Sequence, residues 1–203
     1  MMFNLLKSIL IMISLICSNV FGQTINRYGT TAANFLEIGV GSRATSMGDA
    51  YVAVANDVSS IYWNPAGLSN VSNSSALFMV QPWLVDIDML FAGGAVVVPN
   101  VGVLGLGITH LDYGEMDVTN LEYQDGTGER FGASDMAATF TFSRKIVSWF
   151  SFGSSMKYIS SNIWHSSASA FAVDLGVLVN TKFFSFTGND KDGMNIGMSI
   201  SNY

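Results

Sequence analysis

A chain of 203 residues has the length of one domain. Here 49% of the residues are hydrophobic but only 12% charged, about half the charge of an ordinary soluble domain. The apolar residues are scattered, and beyond the N-terminus no run approaches the roughly 20 that a membrane-spanning helix needs, so a helical membrane protein is not expected. A formal net charge of −6 argues against nucleic acid as a partner, because phosphates call for a basic face.

Residues 1–22 read as a secretory signal peptide. Lys7 gives a positive start, Ser8 to Cys17 is a short apolar core, and Val20-Phe21-Gly22 precedes Gln23. Cleavage is expected after Gly22. A lipoprotein signal through Cys17 would want a small residue where Ile16 stands. Removing the leader takes away Lys7 and the only cysteine, which leaves 15 acidic against 8 basic residues. The mature chain then holds no intrachain disulfide, so an exported protein must be held together by other means.

The second segment, residues 23–73, begins polar and irregular and ends its first half in Phe35-Leu36-Glu37-Ile38. In Thr45 to Asn56 the spacing of Met47, Tyr51 and Val54 predicts a helix. Ser46, with Asp49 three residues on, reads as its start. Asn64-Pro65-Ala66-Gly67 stops any helix, since the residue before a proline is pushed out of the helical region and Gly67 turns freely. Gly39 to Ala44 fits GxGxxA, with Asp57 at nearly the distance of a dinucleotide fingerprint. No parallel βαβ unit follows, so a close-packed turn is the better reading.

From residue 74 onward the period is two. Met136, Ala138, Phe140 and Phe142 alternate with Ala137, Thr139, Thr141, Ser143 and Lys145. Phe150, Phe152, Met156 and Tyr158 alternate with Ser151, Gly153, Ser155 and Lys157; Phe171, Val173, Leu175, Val177 and Val179 with Ala172, Asp174, Gly176 and Asn180. Met194 to Ile200 alternates likewise. Ser75 to Trp83, Ile87 to Val98 and Gly102 to Tyr113 alternate more weakly, which makes about seven strands. A soluble β-sandwich alternates too, with its apolar face inward. Against it stand the length of these strands and a polar face of Gly, Ala, Ser and Thr instead of the Lys and Glu that meet bulk water. The expected fold is therefore all-β: an antiparallel transmembrane outer-membrane β-barrel, its apolar face toward lipid, with a plug at residues 23–73 containing a short helix.

Connections follow the same pattern. Pro99 to Val101 and Val147 to Ser148 read as tight turns, Gly114 to Gly132 as a long acidic loop, and Phe183 to Asp192 as a long turn on the short-turn side. Lys145, Lys157 and Asp174 fall on the lumen side, where they pair with one another, with Arg43, Asp49 or Asp57 of the plug, or line a pathway. Two separate histidines, His110 and His165, and no cysteine after processing give no metal site. Asp112, Glu115 and Asp117, and Asp190-Lys191-Asp192-Gly193, are solvated loops without a full calcium pattern. No nucleophile stands beside a base, so no catalytic residue, enzyme activity or cofactor is expected.

Seven strands would leave two open edges, which lipid does not tolerate, and Tyr203 shares its parity with the polar side. The expectation is an N-terminal half of a longer barrel.

The stretch NFLEIGVGSRATSMGDAYVAVANDVSSIYWNPAGLS, Asn34 to Ser69, resembles the N-terminal signature of the PorV/PorQ proteins, relatives of the FadL fatty-acid transporters. LDYGEM (Leu111 to Met116), FGASDMA (Phe131 to Ala137) and SFGSSMKYISSNI (Ser151 to Ile163) are similar to PorV-type strands and loops in the same order. The resemblance implies a 14-stranded outer-membrane barrel in bacteria, of which residues 74–203 would be half. It implies a role in type IX secretion, with cargo C-terminal domains and secretion components as partners beside outer-membrane lipid. The alternative it carries is a FadL-like channel for hydrophobic molecules such as long-chain fatty acids. Gly39, Gly41, Arg43, Gly48, Asp49, Asn64, Pro65, Ala66 and Gly67 are the signature positions, expected to shape the plug.

Overall fold

The alternating tract forms seven strands: β1 (Ser75–Pro82), β2 (Asp88–Val98), β3 (Gly102–Asp117), β4 (Arg130–Val147), β5 (Phe150–Ile163), β6 (Ser166–Asn180) and β7 (Asn195–Ile200). Each pairs antiparallel with the next in chain order, and the sheet curls into a half-barrel. The computed structural model describes residues 33–185, 187 and 193–203, all of them in the unit Ala33–Tyr203. The leader, residues 23–32, and Asp190 to Asp192 lie outside them. Among the described residues no helix is long and apolar enough to cross a membrane.

Register carries the period-two pattern across the sheet, so each face is uniform. Phe140 stands opposite Leu106 and Met156, and Tyr158 opposite Ala138 and Phe171. These side chains share the outer face, and all but Ala138 are exposed: Phe171 is 75% open and Leu106 65%, with Phe78 of the same face at 68%. On the inner face Thr141 stands opposite Gly105 and Ser155, and Ser155 opposite Asp174. Thr141, Ser143, Ser151, Ser155 and Asp174 are all buried there. A one-residue slip would exchange the two faces wholesale, which is why so strict an alternation fixes register.

What buries the inner face is the N-terminal segment. Phe35, Leu36 and Val40 form one apolar cluster with Met89, Phe91 and Leu111; Val58, Ile61 and Leu68 form a second with Ala95 and Val103. Ala44, Tyr51 and Ala55 make a third within the segment. The apolar core thus lies between the segment and the sheet, and the aliphatic and aromatic side chains of the outer face are not part of it.

The predicted helix over Thr45 to Asn56 does not form. Helix α1 is Ser42–Ser46, and it stops in a left-handed cap where Gly48 N–H donates to Thr45 O and Asp49 N–H to Ala44 O, each at 3.0 Å. Gly48 and Asp49 have φ of 62° and 65°. Ser46, read as a helix start, is its last residue, with Oγ donating to Arg43 O at 2.9 Å. Helix α2, Ser60–Trp63, ends at Asn64 as the Asn-Pro pair requires, and a 3-10 turn occupies Pro65–Asn70.

Strand ends also extend beyond the alternation in β3, β4, β5 and β6. Strands β3 and β4 shorten the predicted acidic loop to residues 118–129, and Arg130 closes their end on Glu115 at 2.8 Å and Asp117 at 3.2 Å. Between β5 and β6 only Trp164 and His165 remain as a turn.

Candidate functional site: the segment seated on the sheet

Asn64 is the hinge of the seat. Its extended backbone, φ −158°, throws the side chain across the chain's own turn. Oδ1 accepts from Ala66 N–H at 3.0 Å. Nδ2 donates to Val52 O at 2.9 Å and to Val177 O on β6 at 3.2 Å. One wholly buried amide therefore closes the turn, ties it to the preceding loop and anchors it on the sheet. Ser143 Oγ on β4 adds a bond to Ala66 O at 3.1 Å.

The strands receive this turn through glycines. A Cβ on Gly153 of β5 would collide with the backbone of Pro65 and Ala66. On Gly176 of β6 it would strike Asn64 Oδ1 and come within 2.9 Å of the Pro65 ring. On Gly105 of β3 it would lie 2.8 Å from Leu68, and on Gly197 of β7 2.6 Å from Val52 O. Gly67 lies against Ala55, whose Cβ would be 3.0 Å from an added methyl. The small inner face anticipated from the sequence is a set of sockets for the backbone of the segment.

The remaining positions singled out from the sequence make contacts within the segment and with β1. A Cβ on Gly39 would sit 2.6 Å from Asp49 Oδ1. Gly41, at φ 92°, turns the chain into α1 and points its N–H at Met79 Sδ at 3.2 Å. Trp63 Nε1 donates to Val40 O at 2.8 Å, and Tyr62 OH to Leu36 O at 2.6 Å. Arg43 Nη1 donates to Asn56 Oδ1 at 2.8 Å, and its guanidinium lies 5.4 Å from the centre of the Tyr51 ring. Asp57 accepts from Ser59 N–H at 2.9 Å, Ser59 Oγ at 2.5 Å and Tyr51 OH at 3.1 Å. Burial, then the Asp57 charge, raises the Tyr51 phenol above its ordinary value. Tyr62 is raised by burial first and by Asp49 and Glu37 after it.

Of the three lumen-side charges, two meet. Lys157 Nζ lies 2.8 Å from Asp174 Oδ2, with both side chains buried. Asn202, at φ 59° beyond β7, accepts from Lys157 Nζ at 2.9 Å and donates its N–H to Asp174 Oδ1 at 2.8 Å. Neither Lys157 nor Asp174 pairs with Arg43, Asp49 or Asp57 in the structure. Lys145 sits near the end of β4 and is exposed. Nothing in the local pattern marks Asn202 or Ser143 as partners, because their contacts span 45 and 77 positions and follow from register alone.

His110 lies within β3, and His165 is stacked on Trp164 at 4.7 Å in the β5–β6 turn. Among the described residues no cluster of His, Cys, Asp or Glu could hold a metal ion. The sheet is antiparallel throughout, so Gly39 to Ala44 opens no dinucleotide-binding unit. Comparison with protein-family models returns no match, and comparison with curated proteins returns none either.

Proposed function

We propose that this chain is an exported outer-membrane β-barrel protein of the PorV/PorQ type, with residues 33–73 as the plug of the barrel. Its role would be to bind secreted proteins through their C-terminal domains and hand them on in type IX secretion. The observation that carries the membrane reading is the outer face: Phe140, Met156, Phe171, Leu175 and Met198 are open to the surroundings, while the small and polar inner face is covered. A water-soluble sheet does the reverse. Along β6 the outward apolar positions run from Phe171 to Val179, about 26 Å along the strand at the usual rise, which at the usual strand tilt spans about 20 Å of the ~25 Å apolar band of such barrels. Trp149 lies at the β4–β5 turn, and Trp83 and Trp164 at the opposite end of the strands, each about half exposed. That is where interfacial aromatic girdles belong.

The secretion role rests on the resemblance of Asn34 to Ser69 and the three later stretches. The FadL-like alternative needs an open apolar passage, and where Asn64 and Pro65 sit on Gly153 and Gly176 there is no room for one. Capture assays with the full-length protein in detergent test the role. Retention of cargo C-terminal domains is the expected result, and failure with several such domains, alongside saturable binding of a long-chain fatty acid, would favour the channel.

A further inference from the structure

Where the plug segment meets the last two strands lies a cleft of about 550 Å³ whose lining includes Arg43, Asn56, Asn70, Leu178, Asn180 and Asn195. That volume falls in the range of small-ligand sites. Arg43 is held ready in it. One nitrogen is bonded to the neutral Asn56, and the guanidinium lies over the ring of Tyr51, which is itself buried and tethered to Asp57. A guanidinium has five N–H donors, and the bond of Arg43 to Asn56 uses a single nitrogen. Among the described residues the ion pairs are Arg130 with Glu115 and Asp117, and Lys157 with Asp174. Arg43 has no carboxylate partner there, in a chain with a net charge of −6.

We propose that this cleft binds the carboxylate end of a peptide. Arg43 takes the carboxylate through its free nitrogens, the planar two-point contact at which arginine surpasses lysine. The surrounding amides of Asn56, Asn70, Asn180 and Asn195 match the alternating N–H and C=O groups of a peptide backbone. Asn180 Nδ2 already donates to Asn195 Oδ1 at 2.8 Å, whereas Asn180 Oδ1 is buried with no hydrogen-bond partner, an acceptor that a bound N–H would satisfy after a small side-chain rotation. A fatty acid supplies the same carboxylate but nothing for the amides, and leaving polar groups dry and unpaired is costly. This inference deepens the export reading, since it names a chemical feature by which a polypeptide is held.

The test uses the full chain in detergent and a fluorescein-labelled pentaalanine peptide with a free C-terminal carboxylate, beside its C-amidated twin. Fluorescence anisotropy should show saturable binding of the free acid and about tenfold or more weaker binding of the amide, the worth of one charge-assisted contact. Arg43→Gln should remove that difference. Asn195→Ala, which leaves the contacts of Arg43 intact, should weaken both peptides together. Equal binding of the twins, no saturable binding, or an unchanged preference in Arg43→Gln would overturn the proposal, as would displacement of the peptide by dodecanoate at equal concentration. Cargo-domain capture is scored separately: its failure with peptide binding intact sinks the export reading alone, and the converse sinks only this site.

Discussion

Gly153→Ala adds one methyl group at the point where the Pro65 turn is seated on β5. Gly153 lies within a strand, so alanine alone would bring a small gain, about 0.5–1 kcal/mol from reduced freedom of the unfolded chain. The methyl, however, meets the Pro65 carbonyl carbon and Ala66 nitrogen head-on and comes within 2.5 Å of Pro65 O. All three are backbone atoms, which cannot swing aside as a side-chain tip would. Overpacking of this kind costs about 1–3 kcal/mol. Lifting the turn also weakens the Ser143–Ala66 and Asn64–Val177 bonds, about 1 kcal/mol each. The net expectation is a loss of about 2–4 kcal/mol. The control is Gly94→Ala on β2, whose nearest neighbour is Ser75 O at 3.9 Å and which should be neutral or slightly stabilising. Denaturant midpoints in detergent measure the difference, and protease nicking within residues 33–73 reports whether the segment has lifted. If Gly153→Ala and Gly94→Ala unfold at the same midpoint and are nicked alike, the segment is not seated on the strand as described.

Asn64→Ala should cost about 2–4 kcal/mol in the same unfolding assay, because it leaves Ala66 N–H, Val52 O and Val177 O without their partner; Asn64→Asp, which keeps the acceptor but brings a charge against two carbonyls, should fare worse. Lys157→Met alone strands a buried carboxylate and should destabilise by about 3–5 kcal/mol, whereas the Lys157→Met, Asp174→Leu double variant should recover most of that loss, since an apolar pair of similar size can replace a buried ion pair. Alkaline stability follows from the raised phenols of Tyr51 and Tyr62. Above pH 10 the unfolded chain ionises its tyrosines while these two stay protonated in the fold, so stability, complete below pH 10, falls as pH rises. Tyr62→Phe should flatten the fall of the denaturation midpoint between pH 9 and 11, and an unchanged slope would count against the burial of that ring.

The strands and their faces were legible because register obeys a period of two: Phe140 and Thr141, adjacent in sequence, stand on opposite faces as alternation requires. Strand ends were less legible. Ser166 to Ala170 and Ser160 to Asn162 belong to β6 and β5, but their small, mostly polar side chains lack the apolar beat that marks a strand. In the segment, the Asn-Pro stop was readable from backbone sterics, while Thr45 to Asn56 misled because Met47, Tyr51 and Val54 repeat at helical spacing without forming a helix. Gly48 and Asp49 adopt left-handed angles there, and a tight series of turns places Tyr51 and Ala55 in the same small core. The seat itself could not be read, since Asn64 and Val177 are 113 positions apart and meet only once the sheet has its register.

The most direct test of the account asks what surrounds the outer face. Spin labels placed one at a time at Leu106, Phe140 and Phe171, with Thr141 as an inner-face comparison, can be measured on the protein in native envelope membranes by collision with oxygen, which concentrates in lipid, and with a water-soluble nickel complex. High oxygen and low nickel accessibility at the three outer sites, with neither reagent reaching Thr141, is the predicted result; nickel access at Leu106, Phe140 and Phe171 equal to that of a label in the 118–129 loop would place that face in water and contradict it.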